Sequence, residues 1–145
     1  VSIQRQRIVA VARTWVGTRY QHQASLRHVG CDCLGLLRGI WREVIGPEPE
    51  QIPTYPAGWM SVATTEILIE ALGRHFQRGS TDFFLAGDVL IFRFRRHLPA
   101  SHIAIATDQT SIIHAHVDAT VAEVPFENRW RRRLAAVFSF PDLHN

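Results

Sequence analysis

The feature that most constrains this chain is a change of hydrophobic period near Gly87-Asp88. Before that point apolar residues recur at helical spacing; after it they fall in short runs and alternations bounded by turn residues. Ile8, Val9, Ala12, Trp15 and Val16 trace an amphipathic helix from Ser2, its N-cap, to Val16, and Gly17 ends it. Leu34, Leu37, Trp41, Val44 and Ile45 trace a second helix that opens at Cys33 and stops at Gly46-Pro47. Ala63, Ile67, Ala71, Leu72 and Phe76 predict a third from Ser61 to about Gln77, capped near Thr64. Downstream, Val89 to Arg95, His102 to Thr107 and Ser111 to His116 read as strands, and the Asp108-Gln109-Thr110 break is short enough for a hairpin. Val121 to Val124 and Leu134 to Phe140 add two more. Helices first and strands second predict an α+β domain, N-terminal helices packed on an antiparallel sheet.

The 145 residues suit one domain, 1–145, with a core that needs no staples. The Pro-rich stretch from Pro47 to Gly58 reads as a loop rather than a linker, because neither side would hold enough core alone. No apolar run approaches the roughly 20 residues of a membrane helix, so no membrane span is expected. Val1 to Arg13 intersperses Arg5, Arg7 and Arg13 among apolar residues, and export by an N-terminal signal is not expected. The net charge of +3 comes from 16 basic residues, all of them Arg, against 13 acidic ones. With no nucleic-acid motif, a balance this small gives no case for DNA or RNA as partner. The densest basic run, Arg129, Arg131, Arg132 and Arg133 around Trp130, reads either as a solvated face or as a grip for phosphate or a carboxylate-rich partner.

Both cysteines lie in Gly30-Cys31-Asp32-Cys33-Leu34-Gly35-Leu36-Leu37. One residue apart, they cannot form an unstrained disulfide, so reduced thiols are expected. Asp32 reads as the N-cap of the helix that Cys33 opens. A thiol in a first turn faces unpaired N–H groups and the positive end of the helix dipole, which favour thiolate and suit a nucleophile. Such a nucleophile needs a base and a group to orient that base. His102 and His114, on the two strands of the predicted hairpin, can meet on one sheet face, and the Cys33 helix packing across that face would complete a Cys-His-His site. His116 shares the face of His114 and is left open. His22, His28, His75, His97 and His144 read as surface or loop residues.

These residues carry a resemblance. Gly30-Cys31-Asp32-Cys33-Leu34-Gly35-Leu36 resembles the Asp-Cys-Ser-Gly motif of NlpC/p60 cysteine peptidases. Ala100-Ser101-His102-Ile103-Ala104-Ile105 resembles their Gly-His-Val-Gly-Ile strand, and Ile113-His114-Ala115 their Ile-His-Ala strand. Gly17-Thr18-Arg19-Tyr20 and Ala86-Gly87-Asp88-Val89 resemble the family's Gly-x-Pro-Tyr and Pro-Gly-Asp-Leu segments. The compact length and the Tyr20-Gln21-His22-Gln23 loop look like the branch found in tails of phages and phage-like particles. The resemblance implies a papain-like fold and hydrolysis of peptidoglycan stem peptides, usually at the γ-D-glutamyl–diamino acid bond. Carried over by position, Cys33 is nucleophile, His102 general base and His114 the orienting residue, with Tyr20 beside the thiolate and Asp32 near the substrate. It implies no metal and no cofactor. The implied partners are the stem peptide and tail hub or baseplate proteins. The implied location is the particle tail, assembled in the host cytoplasm and acting in the target periplasm.

The chain departs from the family pattern at three places. Leu34 stands where the family has Ser, Ser101 where it has Gly, and Cys31 is an additional thiol. Leu34 removes a hydrogen-bonding group from the substrate subsite. Three rival readings stay open: a tail-tip or hub-binding protein with weak or lost peptidase activity, a metal site built from Cys31, Cys33, His114 and His116, and an amidase or transferase acting on a lipid or small amide.

Overall fold

A computed structural model of the chain describes residues 2–51, 55 and 66–142. Helix α1 spans Ile3–Thr14, and the Ser2 hydroxyl accepts from the Arg5 N–H at 3.1 Å, the cap that its position predicts. Gly17 follows at φ +93°, a left-handed conformation that glycine adopts without cost. The next segment, predicted as irregular loop, instead holds a short antiparallel ribbon, β1 (Ser25–Leu26) and β2 (Gly30–Cys31). Two-residue strands leave no periodic trace in a sequence.

Helix α2 runs Cys33–Val44, with Leu36, Leu37, Ile40, Trp41 and Val44 buried against α1 and the sheet. Two glycines let it sit deep. A Cβ on Gly39 would lie 2.0 Å from the Trp15 ring, and one on Gly35 1.8 Å from the Ala24 carbonyl oxygen. Helix α3 covers Ile67–Gly73. The predicted start at Ser61 and the Thr64 cap lie outside the described residues, and at Glu66, the cap position of the described helix, no side-chain cap bond forms.

The remaining elements are β3 (Gln77–Arg78), β4 (Val89–Phe92), β5 (His102–Ala106), β6 (Ser111–His114), β7 (Ala122–Pro125), α4 (Asn128–Arg131) and β8 (Leu134–Ser139). The six strands order as β3-β8-β4-β5-β6-β7, every pair antiparallel. The β5–β6 hairpin forms as expected, with Ile105 opposite Ile113. Strand β4 stops at Phe92 rather than Arg95, and β6 at His114 rather than His116. Strand β3 and helix α4 are too short to predict. Strands β4 and β5 are buried on both faces, which explains their apolar runs. One face carries Val89, Ile91, Ile103, Ile105 and Ile113 against α1 and α2; the other carries Leu90, Phe92, Ala104, Ala106 and Ile112 against Phe84 and Trp130.

Candidate active site

The start of α2 is fixed first. Asp32 Oδ1 accepts from the Gly35 N–H at 2.7 Å, so the helix begins where the sequence places it. Its other oxygen, Oδ2, accepts from the Gln23 N–H at 2.7 Å and from the Tyr55 hydroxyl. His22 completes this corner, with Nε2 2.6 Å from the Tyr55 carbonyl oxygen and its ring edge-on to the tyrosine ring. Both oxygens of the buried Asp32 are therefore engaged.

Cys33 lines a cleft of about 350 Å³ with Tyr20, Asp32, Leu34, His102 and His116. The histidines reach it differently from the sequence expectation. Alternation puts His102 on the same face as Ala104 and Phe92, the face that packs against Trp130, whereas α2 covers the opposite face. Cys33 and His102 line one cleft because β5 begins at His102, by the mouth of α2, and not because the helix crosses the histidine face. Behind His102, its Nε2 lies 2.9 Å from His114 Nδ1. Phe92, Phe94 and Trp130 surround the His102 ring. Among the described residues no hydrogen bond joins the thiol to His102, a looseness common before substrate arrives.

The electrostatics correct a second expectation. Burial pushes the Cys33 thiol up to about 12, and the Asp32 carboxylate adds to that; the N–H groups of Ile103, Leu34 and Cys33 itself oppose it without winning. The helix-start effect foreseen from sequence is present but smaller than desolvation. Burial likewise lowers His102 to about 3, with His114 and His116 adding to the effect. His114 falls to about 4 through burial, then through His116 and Arg129. Burial thus favours the uncharged form of each group, thiol and imidazole, at rest. With Nε2 of His102 occupied by His114, Nδ1 is the nitrogen left to take the thiol proton. For that, Nε2 must carry the hydrogen and donate it to His114 Nδ1.

Tyr20 reaches the cleft wall because its N–H donates to the Ala119 carbonyl at 2.9 Å and its backbone bridges Cys31. Burial raises its phenol, and Asp32 and Cys33 raise it further. Cys31 is fully buried in the helix-side core and is not among the cleft-lining residues. His116 lines the cleft from an exposed position, its Nδ1 3.0 Å from the Val117 carbonyl oxygen. Among the described residues no three His, Cys, Asp or Glu side chains gather as metal ligands. The sequence reading missed Tyr55, His22 and Phe94. Tyr55 sits in a Pro-rich stretch of sequence and His22 in a stretch without pattern, and neither carries a periodic signal. For Phe94 the position just past a strand end, pointing as His102 does, was the available clue.

The sequence pattern of the NlpC/P60 family matches residues 17–139. No curated protein sequence gives a significant match. Among known structures, NlpC2 from Trichomonas vaginalis superposes with a TM-score of 0.67 at 18% identity, over 94% of this chain and 46% of that one. An NLP/P60-family, lipoprotein-like protein from Staphylococcus aureus gives 0.63 at 17%, over 100% and 43%. The NlpC/p60 domain of the peptidoglycan hydrolase SagA gives 0.62 at 22%, over 94% and 98%. The chain thus spans less than half of the first two, and at these identities the likeness is one of fold. Because the family match runs unbroken from the Tyr20 segment through the α2 start and both histidine strands, the chain belongs to the NlpC/P60 family, a family of cysteine peptidases and hydrolases.

Proposed function

We propose that the protein is a cysteine peptidase that hydrolyses peptidoglycan stem peptides at the γ-D-glutamyl–diamino acid bond, as part of the tail of a phage or phage-like particle. The observation that carries the hydrolase reading is the shared cleft of Cys33 and His102 with His114 bonded behind at 2.9 Å. The likeness to the SagA domain supports a wall peptide as substrate. The tail placement rests on the form of the Gly30–Leu36 and Tyr20–Gln23 segments. In that setting the partners are hub or baseplate proteins, and the particle is assembled in the host cytoplasm and acts in the target periplasm.

The chemistry follows from the neutral resting pair. As Sγ of Cys33 attacks the carbonyl carbon, His102 Nδ1 takes the thiol proton, and His114 accepts from Nε2–H and steadies the imidazolium. At the mouth of α2 the Gly35 N–H is taken by the Asp32 side chain and that of Leu36 by the Asp32 carbonyl. The N–H groups of Cys33 and Leu34, already directed at the sulfur, remain to hold the oxyanion. His102 then returns the proton to the departing amine, and water hydrolyses the thioester. Tyr20 walls the site beside the sulfur. Asp32, its oxygens engaged, acts as a positioning residue for α2 and Tyr55.

Incubation of the protein with whole sacculi, with products read by mass spectrometry, tests the reading. A new free amine on the diamino acid is expected; release of intact stem peptide from the glycan would overturn the bond assignment. Particles carrying Cys33→Ala are expected to deliver DNA poorly, and delivery equal to the parent would overturn the tail role.

A further inference from the structure

Most arginines of this chain are spoken for. Arg5 pairs with Asp88, Arg13 with Glu123, Arg38 and Arg42 with Glu48, and Arg74 with Glu50. Arg95, Arg96, Arg132 and Arg133 differ: among the described residues their side chains make no ion pair, hydrogen bond or ring contact. All four line one cleft of about 290 Å³, together with Arg93 and Phe94. Gathering like charges on one concave surface costs stability unless an anion compensates them.

The cleft is built from two loops locked together. The Arg93 N–H donates to the Arg133 carbonyl at 2.8 Å, which ties the β4–β5 loop to the α4–β8 turn. Arg93 Nη1 donates to the Leu98 carbonyl at 2.6 Å and to Glu66 Oε2 at 2.5 Å. Glu66 Oε1 accepts from the Ala100 N–H at 2.8 Å, so the carboxylate bonded into this cluster is already spent on the scaffold. Arg129 is paired with Glu127, and Arg131 lies over Phe126.

Location supplies the rest. Phe94 lines both the arginine cleft and the Cys33 cleft, so the two are neighbours that share one aromatic wall. The arginine cleft lies on the β4–β8 side of His102. Tyr20 lies on the other side, bonded to the loop after β6. A substrate laid across Cys33 away from Tyr20 therefore runs past Phe94 into four guanidinium groups. Guanidinium forks match planar oxyanions with two parallel hydrogen bonds. Wall stem peptides carry carboxylates on D-glutamate and on the diamino acid.

Resting on the hydrolase reading, we propose that Arg95, Arg96, Arg132 and Arg133 form a subsite for a substrate carboxylate on the β4–β8 side of Cys33. The enzyme then discriminates stem peptides with free carboxylates from their amidated forms.

The test separates binding from turnover. Cys33→Ala protein is titrated calorimetrically with L-alanyl-γ-D-glutamyl-diaminopimelyl-D-alanine and with the same peptide amidated at its side carboxylates. The free-acid peptide is expected to bind about tenfold or more tightly, and the ratio to fall to about twofold or less in Arg95→Ala/Arg132→Ala. Arg7→Ala, on another face, is expected to keep the ratio. Equal binding of both peptides, or a ratio untouched by the double substitution, overturns the subsite. Displacement of the peptide by inorganic phosphate at lower concentration than by acetate overturns it in favour of a phosphate ligand. Cleavage by the Cys33-bearing protein is read in parallel. Discrimination in binding without cleavage of either peptide supports the subsite and overturns the hydrolase reading; cleavage of both at equal rates overturns the subsite and keeps the hydrolase.

Discussion

Two polar groups flank Cys33, and they are wired in opposite ways. Asp32, on the helix side, accepts from Gly35, Gln23 and Tyr55, and no oxygen is left over for chemistry. His102, on the sheet side, has one hydrogen-bond partner among the described residues, His114, and keeps a second nitrogen for the cleft. A carboxylate and an imidazole lining the same cleft as a thiol would look equally suitable as bases in a list of residues. Their hydrogen bonds set a spent scaffold carboxylate apart from an imidazole with a nitrogen to spare, the one the proposed mechanism uses as base.

Substitutions sharpen that contrast. His102→Ala is expected to lower kcat/KM by about a hundredfold to ten-thousandfold, the range of a lost general base, with folding retained by circular dichroism. His114→Ala loosens the ring without removing the base, and a loss of about tenfold to a hundredfold in kcat at nearly constant KM is expected. Asp32→Ala strands the Gly35 and Gln23 donors and the Tyr55 hydroxyl, and urea unfolding is expected to report about 1–3 kcal/mol of lost stability. Asp32→Asn can still cap Gly35, so its folded fraction is expected to retain most activity. An inactive but folded Asp32→Asn would break the comparison.

The pH dependence of stability has a fixed sign at each end. In the unfolded chain the histidines take protons near their ordinary value of 6.5, but in the fold His114 does so only near 4 and His102 near 3. Between those limits the unfolded state binds more protons, so stability present above pH 6.5 falls as pH drops. At the other end, Cys31 and Cys33 ionise near 9 when unfolded and near 12 when folded. The unfolded state loses those protons first, and stability falls as pH rises above 9. A urea midpoint that is flat between about pH 6.5 and 9 and declines on both sides is expected, with His102→Gln shrinking the acid decline.

The helices and central strands were legible because burial writes a period into the sequence. The Leu34-to-Ile45 spacing located α2, and Asp32 proved to be its cap. What escaped was whatever depends on partners distant in sequence. The ribbon at Ser25–Leu26 and Gly30–Cys31, the β3 edge at Gln77–Arg78 and the Tyr55–Asp32 bond have no local pattern. His102 and His114 were paired correctly, yet the face they share was not foreseen. Period 2 says which residues lie together and not which side a helix covers. The N–H groups at the helix start do favour the thiolate, as expected, but that effect is local and visible, while the burial that outweighs it is set by the whole fold.

In the proposed mechanism Cys33 forms the covalent intermediate while Cys31 only packs. The direct measurement is intact-protein mass spectrometry after rapid acid quench with a defined stem peptide, on the parent, Cys33→Ala and Cys31→Ala proteins. An acyl adduct on Cys33 is expected in the parent and in Cys31→Ala, with neither adduct nor cleavage in Cys33→Ala. Cleavage that persists in folded Cys33→Ala would contradict it.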